Sequence, residues 1–328
     1  MTSIYHGGDL AAAATVFGAP DEGWLDLSTG VNPHPWPVRE GVLDALHQLP
    51  DSDRMDKLKL AAAMAYGVHD PACIACGPGS QALIQWLPRL HDIGRVAVVT
   101  PTYGEHVVSW QMAGHDVFET RGLPEPVDCD IAVITRPNNP DGRVEVASDI
   151  STLGAGLAEK GGTVVVDEAF ADLYSSPSIA TGAPTGIVAL RSFGKFYGLP
   201  GLRLGFSVSD PDTAARIEAA LGPWPVSSLA AVIGADALTD SGWHAETRNR
   251  LERSAVRLDF FLTGVGFDIA GGTSLFRLAV SERAQDIHEK LGRAGIYTRR
   301  FPENPNWLRF GLPGGESEWT RLEVALRS

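Results

Sequence analysis

Five short runs rich in β-branched and small apolar residues recur through the middle of the chain, and they constrain its fold more than any other feature. They lie at 96–100, 131–135, 164–167, 186–191 and 204–208. Three are almost wholly apolar, the pattern of strands buried on both faces of a mostly parallel sheet. A helical pattern at 149–160 separates two of them. Ser148 or Asp149 marks its start and Gly161-Gly162 its end. Strands alternating with helices predict an α/β fold around a mostly parallel central sheet.

The texture changes after Pro223-Trp-Pro225. Residues 226–262 read as helix-rich, including the charged stretch 244–257. A hairpin-like segment follows at 267–278, then one helix, a strand at 306–311 and a terminal helix. This predicts a smaller α+β domain. The expected organisation is a large domain over 41–224 and a small C-terminal domain over 225–328, with an N-terminal segment, 1–40, joining the small domain. No internal repeat or low-complexity tract is present.

A net charge of −13 argues against a nucleic-acid partner, which needs a basic face. It leaves room for a small anionic substrate, since a few arginines in a pocket outweigh the global field locally. No apolar run approaches the roughly 18 residues of a membrane span. The opening residues lack the basic and apolar regions of a signal peptide, so a cytoplasmic protein is expected. Cys73 and Cys76 form a lone C-x-x-C with no second ligand pair, which reads as small residues at a buried strand end; no metal site is expected.

Four segments, in one order, carry the chemistry. Arg136-Pro-Asn-Asn-Pro-Asp-Gly142 follows one predicted strand. Val166-Asp167-Glu168-Ala169 ends another. Ser192-Phe-Gly-Lys195 follows a third, and Gly201-Leu-Arg203-Leu-Gly205 comes next. Ligands of open α/β sheets gather at the carboxyl ends of strands, where all four can converge. Taken singly each is weak, since Asn-Pro-x-Gly is commonly a turn and Asp-Glu a helix cap. Together they fit a site for pyridoxal 5'-phosphate (PLP). Lys195 is the candidate for the Schiff base, which requires a deprotonated amine. Asp167 is the buried carboxylate that keeps a pyridine nitrogen protonated. Asn139 can donate to the ring's 3'-oxygen, and Arg203 with Ser192 can bind the phosphate. Upstream, Cys76-Gly-Pro-Gly79-Ser80-Gln81 precedes an apolar helix at 82–90 and offers backbone N–H groups to a phosphate. The Tyr103 ring, after another strand, can stack on the pyridine.

Over nearly its whole length the chain resembles the class I/II PLP-dependent aminotransferases, in particular the histidinol-phosphate aminotransferase branch. Within that branch it is most similar to the threonine-phosphate decarboxylases. The residues that carry this are Tyr5-His-Gly-Gly-Asp9, then Leu25-Asp-Leu-Ser-Thr-Gly-Val-Asn32-Pro, and Asp167-Glu-Ala-Phe170, where the aminotransferases usually have tyrosine at the last position. The resemblance implies the type I PLP fold, a homodimer, and Lys195, Asp167, Asn139, Tyr103, Gly79, Ser80, Ser192 and Arg203 as cofactor residues. It implies Arg309 as receiver of the substrate carboxylate. Arg299 would receive the substrate phosphate, helped by backbone near Gly7 and Gly8, with Asn32 in the same pocket. Two alternatives stay open: Arg309 as a surface ion-pair residue, and Arg300 in place of Arg299.

The activity implied is decarboxylation of L-threonine O-3-phosphate to (R)-1-aminopropan-2-ol phosphate for cobalamin biosynthesis. The alternatives are a histidinol-phosphate-type aminotransferase and a PLP-fold protein that has lost catalysis. Two positions depart from the family pattern. Gly194 stands where relatives carry a phosphate-binding Ser or Thr, and Leu49-Pro50 where many have Tyr-Pro reaching across a dimer.

Overall fold

The computed structural model describes residues 6–175, 178, 179 and 181–327; Tyr5, first of the N-terminal motif, lies outside them. In chain order the elements are α1 (Leu10–Phe17), β1 (Leu25–Leu27), α2 (Ser52–Tyr66), β2 (Ile74–Gly77), α3 (Ser80–Trp86), β3 (Arg95–Val99), α4 (Glu105–Met112) and β4 (Asp116–Thr120). Then come β5 (Ile131–Thr135), α5 (Ala147–Ala158), β6 (Thr163–Asp167), β7 (Ile187–Ser192), β8 (Gly205–Val208), α6 (Pro211–Leu221) and α7 (Ser228–Thr239). The chain closes with α8 (Ser241–Gly264), β9 (Asp268–Thr273), β10 (Phe276–Val280), α9 (Ala284–Arg293), β11 (Ile296–Arg300), β12 (Trp307–Gly311) and α10 (Glu316–Arg327).

Two compact units form. The larger comprises Trp36–Asn139 and Arg143–His244; the smaller comprises the described residues up to Pro35, Pro140–Gly142, and the chain from Ala245. In the larger unit a seven-stranded sheet runs in the order β2-β8-β7-β6-β5-β3-β4. From β7 to β4 every pairing is parallel, and β8 is antiparallel to both its neighbours. Its central strands are apolar on both faces, as their composition demands. Val164, Val165 and Val166 are at most 2% exposed, so consecutive side chains on opposite faces are all covered. Each such burial contributes about 1.5–3 kcal/mol. One face packs on Leu83, Leu87, Trp110, Ala214 and Ile217 from the flanking helices.

The smaller unit holds a five-stranded sheet, β1-β11-β12-β10-β9, in which only β1 and β11 pair in parallel. Helix α9 covers it with Ala284, Ile287, His288 and Leu291.

Several local expectations need correction. Helix α5 begins at Ala147 after Val146, with no side-chain cap, so neither Ser148 nor Asp149 starts it. The helix predicted at 82–90 begins at Ser80 and changes at Trp86 into a 3-10 turn, because Pro88 has no N–H to continue the α ladder. Residues 116–120 and 296–300 are strands that the apolar-run reading passed over, while Ile74–Gly77 is a buried strand at the place expected from Cys73 and Cys76. Residues 225–244 cluster with the larger unit, because α7 packs along α2.

Candidate functional site

The sheet order explains why residues far apart in sequence meet in the larger unit. β7, β6, β5 and β3 are successive parallel neighbours, so their carboxyl ends lie side by side. Those ends lead to Ser192 and Lys195, to Asp167, to Asn139 and to Tyr103. β8 runs the other way, so its start, just after Arg203, sits at the same end; Gly205 pairs with Ser192 on one side and Gly77 on the other. β2 therefore delivers Gly79 and Ser80 there too. One pocket is lined by Gly79, Ser80, Tyr103, Asn139, Asp167, Ser192, Lys195 and Arg203, together with Gln81, Phe170 and Gly194. Every cofactor residue expected from the sequence lies in it.

Its floor is a buried carboxylate. Asp167 is 4% exposed. One oxygen accepts the Ala169 backbone N–H at 2.9 Å, and the other lies 2.9 Å from His106 Nε2. His106 is itself buried and packs T-shaped against Tyr103, with centroids 6.0 Å apart at 86°. The sequence reading passed over His106. Its only local signal is its spacing, three residues after Tyr103, whose carbonyl accepts the His106 N–H at 3.1 Å.

Opposite, the lysine loop is wedged in place by aromatic packing. Phe193 and Tyr197 stack at 4.1 Å, and Trp243 continues the stack on Tyr197 at 5.9 Å. Lys195 Nζ lies 5.6 Å from the centre of the Phe170 ring. Phe170 is the position singled out by the family pattern, and it proves to be a wall of the pocket.

The third side is built from close backbone approaches. Gly79 adopts φ +83°, and a Cβ on it would stand 2.6 Å from Arg203 Nη2. A Cβ on Gly205 would stand 2.3 Å from the Ser80 nitrogen. Both glycines are therefore needed for the guanidinium and the start of α3 to come together. Arg203, itself at φ +53°, donates to the Pro200 carbonyl at 3.1 Å. At Gly194 a Cβ would meet Pro200 Cα at 3.0 Å, so the turn leaves little room for a larger side chain.

The smaller unit gathers the second group. Gly8 N–H donates to Ser28 Oγ at 2.7 Å, and Ser28 Oγ donates to Asp26 Oδ1 at 2.5 Å. Gly7 lies so close that a Cβ on it would stand 2.4 Å from the Ser28 carbonyl oxygen. Arg309, 7% exposed, donates through Nη2 to that same oxygen at 2.8 Å. It is a buried residue, not a surface ion-pair residue. Arg309 pairs in register with Arg299. Burial first, and the Arg299 charge next, push its pKa down to about 9. Arg300 points to the opposite face with Thr298, whose hydroxyl lies 2.8 Å from His288 Nδ1. Asn32 is buried on the segment after β1, and its Oδ1 accepts the His34 N–H at 2.9 Å.

Cys76 lies inside β2, and burial pushes its thiol up to about 12. Among the described residues no helix is long and apolar enough to cross a membrane.

Comparison with known proteins extends this geometry. Residues 23–325 match the family model "Aminotransferase class I and II". The chain is 40% identical over 327 residues to a threonine-phosphate decarboxylase of Pseudomonas aeruginosa, covering 98% of this chain and 97% of that one. It is 39% identical over 328 residues to one from a Sinorhizobium species, at 98% and 97% coverage. Among solved structures, the histidinol-phosphate aminotransferase of Sinorhizobium meliloti, in complex with PLP, superposes with a TM-score of 0.78. It is 22% identical and covers 99% of this chain and 94% of that one.

Proposed function

The chain belongs to the aminotransferase class I and II family, and from that premise we propose that it is a PLP-dependent decarboxylase of L-threonine O-3-phosphate. The product is (R)-1-aminopropan-2-ol phosphate, used in cobalamin biosynthesis. The reading rests on one observation above the rest: identity of about 40% to threonine-phosphate decarboxylases, end to end. We further take the protein to be a cytoplasmic homodimer. Leu43, Leu46 and Leu49, 59–63% exposed on one short segment, are the apolar surface that a second copy would cover.

The residues of the larger unit fit PLP. A buried carboxylate, a lysine and an arginine line one pocket, and the Gly79 cradle beside Arg203 would be filled by a single Cβ. Lys195 would hold the aldehyde carbon, Asp167 the pyridine nitrogen, Asn139 the 3'-oxygen, and Gly79, Ser80, Ser192 and Arg203 the phosphate. Tyr103 would stack on the ring. When bound, the cofactor supplies an electron sink for the pair released as a bond at the substrate's Cα breaks.

The chain's own groups do the rest. Asp167 would keep a proton on the pyridine nitrogen, and His106 holds that carboxylate in place. In the smaller unit, Arg309 receives the substrate carboxylate. Arg299 and the backbone near Gly7 and Gly8 receive its phosphate, with Asn32 beside them. Holding its two anionic ends would fix the orientation of the substrate's Cα, and with it the bond that breaks. Lys195 then delivers a proton to Cα in place of the lost CO₂.

The experiment is turnover of threonine phosphate in D₂O, followed by NMR. Decarboxylation with lysine-delivered protonation leaves one deuteron at C1 of aminopropanol phosphate. Formation of a 2-oxo acid, only when a keto-acid acceptor is added, would point to amino transfer instead.

A further inference from the structure

The reading above gives Tyr103 a part but none to Gln81, Glu105 or Gln85. These three close a chain of hydrogen bonds on the Tyr103 ring. Tyr103 Oη donates to Gln81 Oε1 at 3.0 Å. Gln81 Nε2 donates to Glu105 Oε2 at 3.1 Å, and Gln85 Nε2 to the same oxygen at 3.3 Å. The Gln81 amide has one sensible orientation: an ionised carboxylate only accepts, so the nitrogen faces Glu105 and the carbonyl oxygen is left for the phenol.

The placement matters. Gln81 and Gln85 lie one turn apart on α3, and Gln81 follows Ser80 directly. Glu105 opens α4, two residues after Tyr103. The chain thus ties the helix that starts at the Gly79-Ser80 cradle to the loop that carries the aromatic ring. In T-shaped contact with that ring stands His106, bonded to Asp167. The ring is held at its hydroxyl by one side chain and through ring packing by another. A hydrogen bond to a charged partner is the stronger kind, which makes Glu105 the anchor of the chain.

We propose that Gln81 is a positioning residue. Held by Glu105, it sets the angle of the Tyr103 ring, and through that ring the stacking and retention of the cofactor. The inference rests on the PLP reading, and in particular on the stacking of Tyr103.

The test uses the PLP-loaded full chain and two readouts besides turnover: the rate of PLP release, and the visible circular dichroism of the bound cofactor. Tyr103→Phe speeds release roughly tenfold, the loss expected for one partly buried hydrogen bond, and Gln81→Leu, which also breaks the bond to Glu105, at least as much. Each also lowers the visible ellipticity. The double variant is no worse than Gln81→Leu alone, because that change has already cut the bond to Tyr103. Gln81→Glu sets a carboxylate against Glu105 and lowers the ellipticity, and adding Glu105→Gln restores it by reversing donor and acceptor. Wild-type release and ellipticity in Gln81→Leu would overturn the proposal, as would additive effects in the double variant. If Gln81→Leu does not fold, the swapped pair decides: recovery supports the proposal, and no recovery overturns it. A wild-type chain that takes up no PLP would overturn the cofactor reading itself, and this inference with it.

Discussion

Arg299 and Arg309 stand opposite one another in register on β11 and β12, and the second is buried with its pKa pushed down to about 9. Two cations on one face, one of them desolvated, make a place that an anion relieves. Below about pH 9 Arg309 is charged in the folded chain, and the cost of burying that charge is present in full. Above it the unfolded chain binds more protons, so this contribution to stability rises with pH. Arg299→Ala, free of ligand at pH 7.5, gains about 1 kcal/mol from the lost repulsion. The same variant raises the KM for threonine phosphate more than about tenfold, as loss of a charged hydrogen-bonding partner does. Thermal unfolding with and without inorganic phosphate, alongside steady-state kinetics, checks both.

His288 supplies a second pH dependence. Burial first, and the Arg300 charge next, lower its pKa to about 4. The folded value lies below the unfolded one near 6.5, so the stability it allows is present above 6.5 and is lost as pH falls toward 4. The size is about 3 kcal/mol over that window. Denaturant unfolding at pH 7 and pH 4.5 should show a smaller difference between the two for His288→Gln than for the wild type. Equal differences would remove His288 from the acid sensitivity.

Gly79 is constrained twice, by φ +83° and by Arg203 Nη2 at 2.6 Å from a would-be Cβ. Gly79→Ala therefore forces the arginine aside and strains the backbone by about 1–3 kcal/mol. PLP affinity, read by fluorescence titration, should fall at least about fivefold, the equivalent of the lower end of that energy. The secondary structure, read by far-UV circular dichroism, should hold.

Behind Asp167 lies a buried ion cluster. Arg191 Nη1 meets Glu168 at 3.0 Å, and its other nitrogen pairs with Asp172. Arg136 and the Ile179 N–H also reach Glu168. Burial disfavours the guanidinium charge, but Asp172 and Glu168 outweigh it and hold the Arg191 pKa above its ordinary value. Arg191→Leu leaves two carboxylates without that cation in a dry setting, and costs about 3–5 kcal/mol. Urea unfolding would measure it. A loss below 1 kcal/mol would mean the cluster is solvated.

How much could be read from the sequence depended on where each signal resides. The parallel strands were legible because Val164, Val165 and Val166 are apolar on both faces, a pattern that needs no knowledge of neighbours. β11 was not, because Tyr297, Thr298, Arg299 and Arg300 make a half-polar run whose pairing with β1 and β12 is purely tertiary. The same alternation answers what adjacency could not: Arg299 shares a face with Arg309, while Arg300 turns toward His288. Lys195, Asp167, Asn139 and Arg203 were visible as residues at strand ends in a fixed order. His106 reaches Asp167 across 61 residues, and Gln81 reaches Tyr103 across 22, and neither sits in a motif. Such partners appear only once the strands are laid side by side.

The central claim is which bond at the substrate's Cα breaks, and one assay reaches it. Purified, PLP-loaded protein is given L-threonine O-3-phosphate with no keto acid, and CO₂ and aminopropanol phosphate are quantified. The account predicts many turnovers with the two products in equal amounts, and none in Lys195→Ala. No CO₂, with amino transfer appearing once histidinol phosphate and 2-oxoglutarate are supplied, would contradict it.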